Sequence, residues 1–277
     1  VHADDDDRLI EAILASGVKI PPMPAALLEV LALAGDDRAG AREYARAIAR
    51  DPALTGAVFR VVGSPVLGLR VKVDSLDKAV TLLGLATTLA VVRSEGMRVA
   101  LHDSALDVVM HTLWRRMGTV AELVVAALRV LRPRGVREDI AYQAGIFHDC
   151  GVAVLCRRDP AYAQAFKAGH WPDLAALDAE RHASHAVVGL MVARNWQLPA
   201  EVAETIRHHH DSHPDLLAEP VRSLAVLVRL AGHLLDGGAG ADDPAWPLWQ
   251  PLAEAMCEPA GLALAELEAE LLGRLAG

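Results

Sequence analysis

Residues 224–231 read Leu224-Ala225-Val226-Leu227-Val228-Arg229-Leu230-Ala231. Within them Leu224, Leu227, Val228 and Ala231 fall at the i, i+3, i+4 and i+7 positions that share one face of an α-helix. A half-buried strand would instead alternate apolar and polar residues. The same spacing appears near the other end of the chain at Leu27, Leu28 and Leu31, and β-branched alternation is scarce between the two. The pattern predicts an all-α chain of about a dozen helices with short connections and no internal repeat.

Punctuation supports the helices. Pro24 after Met23, Asp51 before Pro52, Ser75 after Asp74 and Pro199 after Leu198 mark helix starts. Side-chain oxygens accept from the unpaired N–H groups of a first turn, and proline fits there because it has no N–H to orphan. Gly35, Gly84, Gly169 and residues 237–240 are the expected stops, since glycine enters left-handed backbone at little cost. Residues 8–95 read as a block of short amphipathic helices. A charged, glycine-containing stretch, 93–107, leads from it into longer helices that begin near Leu106. The last segment, 244–277, carries Trp246 and Trp249 around Pro247, then Leu262, Leu264, Leu267, Leu271 and Leu272. It reads as a terminal helix docked on the body, with a partner-binding helix as the alternative.

Composition narrows the function classes. The 277 residues are 53% hydrophobic and 23% charged, and mean hydropathy is +0.25, which excludes a disordered chain. A net charge of −9, from 27 basic and 36 acidic residues, argues against a protein that coats nucleic acid or an anionic membrane. The longest uncharged apolar run, residues 79–92, is shorter than the roughly 18–20 residues a membrane span needs. Asp4 to Asp7 stand where a secretory signal would carry basic residues, so a cytoplasmic location is the expectation. Cys150, Cys156 and Cys257 form no CxxC pair and leave one unpaired under any disulfide scheme, so they read as core residues. One local basic cluster, Arg129, Arg132, Arg134 and Arg137 around Pro133 and Gly135, reads as a solvated loop between helices, with an anion contact as the alternative.

Phosphate-cradling glycine motifs, a G-x-S-x-G elbow and an HExxH pair are all missing from the sequence, so the histidines carry the chemistry. His148-Asp149 ends the helix 140–147, His182 and His185 lie one turn apart, and His208, His209, His210 and Asp211 close the helix that begins at Pro199. Neutral imidazoles and ionised carboxylates gathered from several helices are what zinc or another divalent transition metal requires. Val202 and Ile206 share a face with His209 or His210, so at least one of these two points inward. His185 precedes Gly189 and Val192 on a face of the same kind. His2, His102, His170 and His213 read as surface or helix-end residues.

The ordered motifs resemble one family over residues 19–235. Ile20-Pro21-Pro22-Met23-Pro24, residues 48–55 (Ile48 to Thr55), 63–69 (Gly63 to Leu69) and 73–85 (Val73 to Leu85) are similar to the first half of the HDOD domain, the HD-related output domain of bacterial signalling proteins. Leu113-Trp114-Arg115-Arg116, residues 144–151 around His148-Asp149, 185–189 with Trp196 to Pro199, and 206–210 follow the second half in order. The resemblance implies an N-terminal helical bundle (19–105) packed on a degenerate HD-superfamily domain (106–235). Residues 1–18 then form an acidic extension with a first helix, and 236–277 form a C-terminal helical extension.

In active HD phosphohydrolases a histidine follows the Trp-Arg pair and an aspartate comes late; here Arg116 and Gly232 stand at those places. The resemblance therefore implies a non-catalytic signalling module that acts through contacts with signalling or regulatory proteins, with no cofactor, no nucleic acid and no membrane insertion. The alternative is a metal-dependent phosphohydrolase acting on nucleotides or cyclic dinucleotides, with His148, Asp149, His185 and His209 as ligands. On the first reading Arg116 replaces the metal beside Asp149, through a buried arginine–carboxylate fork. Gly63, Pro65, Gly68, Arg70 and Lys72 are the expected partner-binding positions.

Overall fold

The computed structural model describes residues 10, 11, 13, 17, 19–36, 38–67, 73–166, 171–238 and 243–276. Residues 10, 11 and 13 are helical, and from residue 19 onward the described residues form fourteen α-helices and no strand. In chain order they are α1 (Ala25–Ala32), α2 (Ala41–Ile48), α3 (Pro52–Val62), α4 (Leu76–Ala100), α5 (Asp107–Leu131), α6 (Glu138–Phe147) and α7 (Cys150–Arg158). They continue with α8 (Pro160–Ala165), α9 (Leu174–Glu180), α10 (His185–Asn195), α11 (Ala200–His208), α12 (Val221–Leu235), α13 (Trp246–Cys257) and α14 (Leu264–Ala276). Gly169 and the expected partner-binding positions Gly68, Arg70 and Lys72 lie outside the described residues, as does most of the expected N-terminal extension.

The helices begin at the signed starts, where Asp51 and Ser75 cap through their side chains and Pro24 and Pro199 stand at the N-cap position without a side-chain bond. The Asp51 carboxylate accepts from the Ala53 and Leu54 amides at 2.8 and 3.1 Å, with Pro52 in the first turn of α3. Ser75 accepts from the Lys78 amide at 3.3 Å to open α4, and Ser184 accepts from Val187 at 3.2 Å to open α10. The stop expected at Gly84 is corrected. Gly84 instead kinks α4, with φ 76° and ψ 159°, a conformation essentially restricted to glycine. Helix resumes beyond it, so residues 93–100 of the expected connection belong to α4.

Two compact units divide the described chain, chiefly Pro21–Leu101 and His102–Leu271. In the first, α2 and α3 pack on α4 around Leu27, Ile48, Val58, Val80 and Met97. Its buried Glu95 is paired with Arg98 at 2.9 Å and Arg60 at 3.4 Å, which satisfies a charge that would otherwise be costly to bury. The α3 helix ends at Val62, and Pro65–Leu67 forms one 3-10 turn.

In the second unit α5 packs on α6, α7 on α10, and α10 on α11. The α7–α10 crossing is tight: a methyl at Gly151 would run into the His185 carbonyl oxygen and lie 2.6 Å from the Gly189 amide nitrogen. This close approach brings the start of α7 and the start of α10 together, and the site grows there. The basic cluster runs from the last turn of α5 to the start of α6, where Arg129 pairs with Glu138 at 3.0 Å and Arg137 with Asp139 at 2.8 Å. The terminal segment packs through α13 on α12, with Trp246 stacked on the His233 ring at 4.2 Å.

Candidate metal centre

His148 closes α6 and Asp149 precedes α7; His185 opens α10 and His209 follows the end of α11. All four side chains are buried, Asp149 to 3% exposure. The His148 Nδ1–H donates to the Gly145 carbonyl at 2.7 Å and the His209 Nδ1–H to the Ile206 carbonyl at 2.8 Å. The His185 Nδ1–H donates to the Asp178 carboxylate at 2.7 Å. A carbonyl or carboxylate only accepts, so each Nδ1 carries the proton and a neutral ring presents a bare lone pair at Nε2.

Those three Nε2 atoms converge on Asp149. His148 Nε2 is 3.1 Å from Oδ2, and His209 and His185 Nε2 are 3.3 and 3.5 Å from Oδ1. Asp149 Oδ1 is buried without a hydrogen bond. Lone pairs thus face lone pairs around an acceptor-only group, and a buried acceptor left so is unfavourable. A cation at the centre satisfies all of them. The ligand atoms of Asp149, His185, His209 and His210 lie within 4.8 Å of one another, so the donor set fits a divalent transition metal.

Electrostatics favour that chemistry at Asp149, His209 and His210. Burial opposes ionisation of Asp149, but its close histidine neighbours, His148 first, outweigh it and hold its carboxyl well below the usual range. Burial is the main cause that lowers His209 to about 4. Burial and the neighbouring His209, His185 and Arg229 charges lower His210 well below an ordinary histidine. His185 is raised instead, because Asp178 and Asp149 overcome its burial, so a metal binding there displaces a proton from the ring. Neutral His209 and His210 rings are the form that binds metal.

The structure brings Asp149, His185 and His209 together, and leaves His148, whose Nε2 stands 3.1 Å from Asp149 Oδ2, outside the group of converging ligand atoms. It adds His210, whose ring centroid lies 5.0 Å from that of His185, and, behind His185, Asp178 and Tyr162. His182 sits exposed in a turn, and His208 pairs instead with Asp211 at 3.0 Å.

The expected Arg116–Asp149 fork is corrected. Arg116 Nη2 donates to Asp236 Oδ2 at 2.8 Å and to the Gly232 carbonyl at 3.4 Å, and the guanidinium lies 4.5 Å over the Trp171 ring. Asp236 caps α12 one turn after Gly232, and a methyl at Gly232 would meet no atom nearer than Arg116 Nη2, at 4.0 Å. The space beside Gly232 therefore admits the guanidinium, and the Asp236 carboxylate captures it. Arg116, Gly232, Asp149 and His209 line one cavity of about 560 Å³.

Bundled helices that present a buried histidine–aspartate cluster define the HD-like class of all-α domains. The HDOD domain family model matches residues 20–212, and the chain belongs to that family. An uncharacterised protein of Treponema pallidum is 23% identical over 231 residues, covering 79% of this chain and 43% of the relative. The chain spans less than half the length of the curated relatives it matches. Among solved structures, a Shewanella amazonensis protein named provisionally as a metal-dependent phosphohydrolase superposes with a TM-score of 0.68 at 18% identity, covering 97% of this chain and 99% of that one. A Marinobacter aquaeolei protein, named provisionally as a signal transduction protein, gives 0.69 at 21% identity, covering 99% of this chain and 63% of that one. These likenesses establish the fold. Among the described residues no helix is long and apolar enough to cross a membrane.

Proposed function

We propose that this chain is a regulatory module of bacterial signal transduction that acts through protein–protein contacts and carries a metal-binding, non-hydrolytic form of the HD pocket. The observation that carries the reading is the Arg116–Asp236 pair beside Gly232. At the two positions where active relatives of the superfamily place a histidine and an aspartate, this chain offers a cation already closed by its own carboxylate. A further divalent ion on that side would have to displace the guanidinium to reach the Asp236 carboxylate.

The remaining donors, Asp149, His185, His209 and His210, suit one divalent ion. Bound there, it supplies the positive charge that the acceptor-only cluster lacks. This departs from the sequence expectation of no cofactor, which rests on the two replaced ligands, at Arg116 and Gly232, and on an arginine beside Asp149. Contacts with signalling proteins are assigned to the α3–α4 connection that carries Gly63, Pro65, Gly68, Arg70 and Lys72, and a cytoplasmic location belongs to the same proposal. Protein purified without chelator should hold about one equivalent of zinc, manganese or iron per chain, as a single-ion set of donors requires. It should show no turnover of generic phosphodiesters or cyclic dinucleotides, and metal-dependent turnover would overturn the reading.

A second reading, a phosphohydrolase acting on nucleotides or cyclic dinucleotides, is favoured by the cluster itself, since a metal held by histidines and a carboxylate activates water. His185→Ala separates the two. Turnover that disappears in this variant supports the enzyme, and equal background in both proteins supports the regulatory module.

A further inference from the structure

Of the three rings aimed at Asp149, His185 alone has a carboxylate rather than a backbone carbonyl behind it. Asp178 Oδ2 accepts from both the His185 ring Nδ1–H, at 2.7 Å, and the His185 backbone N–H, at 2.8 Å. One oxygen thus fixes the main chain and the ring of the same residue. The other oxygen, Oδ1, accepts from the Tyr162 hydroxyl at 2.9 Å, and Tyr162 is fully buried. Burial and the adjacent Asp178 push the Tyr162 phenol up, so it stays a donor. The chain Tyr162–Asp178–His185 runs through α8, α9 and α10, and a second tie, Arg181 Nε to Asp159 at 2.8 Å, links the start of α8 to the end of α9.

We propose that Asp178 and Tyr162 are positioning residues that fix the tautomer and direction of His185 and so set the affinity of the Asp149–His185–His209–His210 centre for its metal. The proposal rests on the metal-binding reading of that centre. An anionic partner at Nδ1 places the ring proton away from the centre, leaves the Nε2 lone pair toward it and makes that nitrogen a stronger donor. Asparagine at 178 keeps the shape, but it lacks the charge and offers one oxygen to donors that now use two. Phenylalanine at 162 keeps the carboxylate and removes only the hydroxyl that orients it.

The test is zinc titration of the chelator-stripped full chain by calorimetry, for wild type, Asp178→Asn and Tyr162→Phe, with folding checked by circular dichroism. Asp178→Asn should weaken zinc binding roughly 10- to 100-fold, the usual cost of losing a partner behind a ligating histidine. Tyr162→Phe should weaken it less, in the same direction. Nitrogen-15 spectra of the metal-free histidines add a readout that a merely structural tie would not move: His185 should be the Nδ1–H tautomer in wild type and a mixture in Asp178→Asn. If Asp178→Asn does not fold, Tyr162→Phe carries the test alone. Folded variants that bind zinc as wild type does, with an unchanged His185 tautomer, overturn the positioning role and leave the metal reading standing. A wild-type protein that takes up no zinc overturns the metal reading itself.

Discussion

Replacing Gly151 by alanine perturbs the crossing that assembles the site. The added methyl would collide with the His185 carbonyl oxygen and stand 2.6 Å from the Gly189 nitrogen and 3.0 Å from the His185 carbonyl carbon, where ordinary contact begins at 3.4 Å. All of these are backbone atoms, so rotamer changes cannot relieve the clash, and α7 and α10 must separate. Overpacking of this kind costs about 3 kcal/mol or somewhat more when the backbone must shift. At roughly 2–4 °C per kcal/mol for a unit of this size, the melting temperature should fall by about 6–12 °C. The assay is thermal unfolding followed by circular dichroism in metal-free buffer, with Gly118→Ala as the matched control. A methyl at Gly118 meets nothing within 4 Å, so this helical glycine should tolerate alanine or gain up to about 1 kcal/mol. The same separation moves Asp149 from His185, so zinc affinity should fall in Gly151→Ala and hold in Gly118→Ala. A Gly151→Ala protein that melts with wild type would refute the crossing as described.

Other changes test other parts of the account. Gly84→Ala places a Cβ at φ 76°, ψ 159° and should cost about 1–3 kcal/mol, read as a lower midpoint in urea unfolding; an unchanged midpoint would mean α4 does not hold that kink. Arg116→Ala removes the partner of Asp236, not of Asp149, so zinc affinity should persist while stability drops by about 1 kcal/mol, as for a partly exposed pair. A collapse or a steep rise in zinc affinity would instead put Arg116 at the metal centre. Cys150, Cys156 and Cys257 are at most 1% exposed, and burial pushes the Cys156 thiol up to about 12. Native protein at pH 8 should therefore resist a disulfide reagent that labels all three thiols in guanidinium, and rapid labelling of the native protein would contradict their burial.

The helical fold was legible because its signals are local. The spacing of Leu224, Leu227, Val228 and Ala231, and the capping oxygens of Asp51 and Ser75, act within a few residues of where they are read. Gly84 misled because the residue that ends a helix also permits a kink, and the Thr88 hydroxyl, which donates to the Gly84 carbonyl at 2.8 Å, belongs to a helix that simply continues. Asp149, His185 and His209 were found through motif order and helix faces. The same device marks His210 as a candidate but does not place it in the ligand set: α11 ends at His208, so helix periodicity does not show that both His209 and His210 turn in. Asp178 and Tyr162 belong to no motif, and only the folding of α8 and α9 beside α10 brings them to His185. Arg116 pairs with Asp236 and not with the expected Asp149, because sequence distance cannot rank Asp149 against Asp236, 120 residues away along the chain.

The central claim is a pocket that binds metal without hydrolysis, and the most direct measurement is the phosphodiesterase rate of the zinc- or manganese-loaded chain beside that of His185→Ala. The account predicts metal uptake by the wild type and the same background rate in both proteins. Metal-dependent turnover by the wild type, lost in His185→Ala, would contradict it.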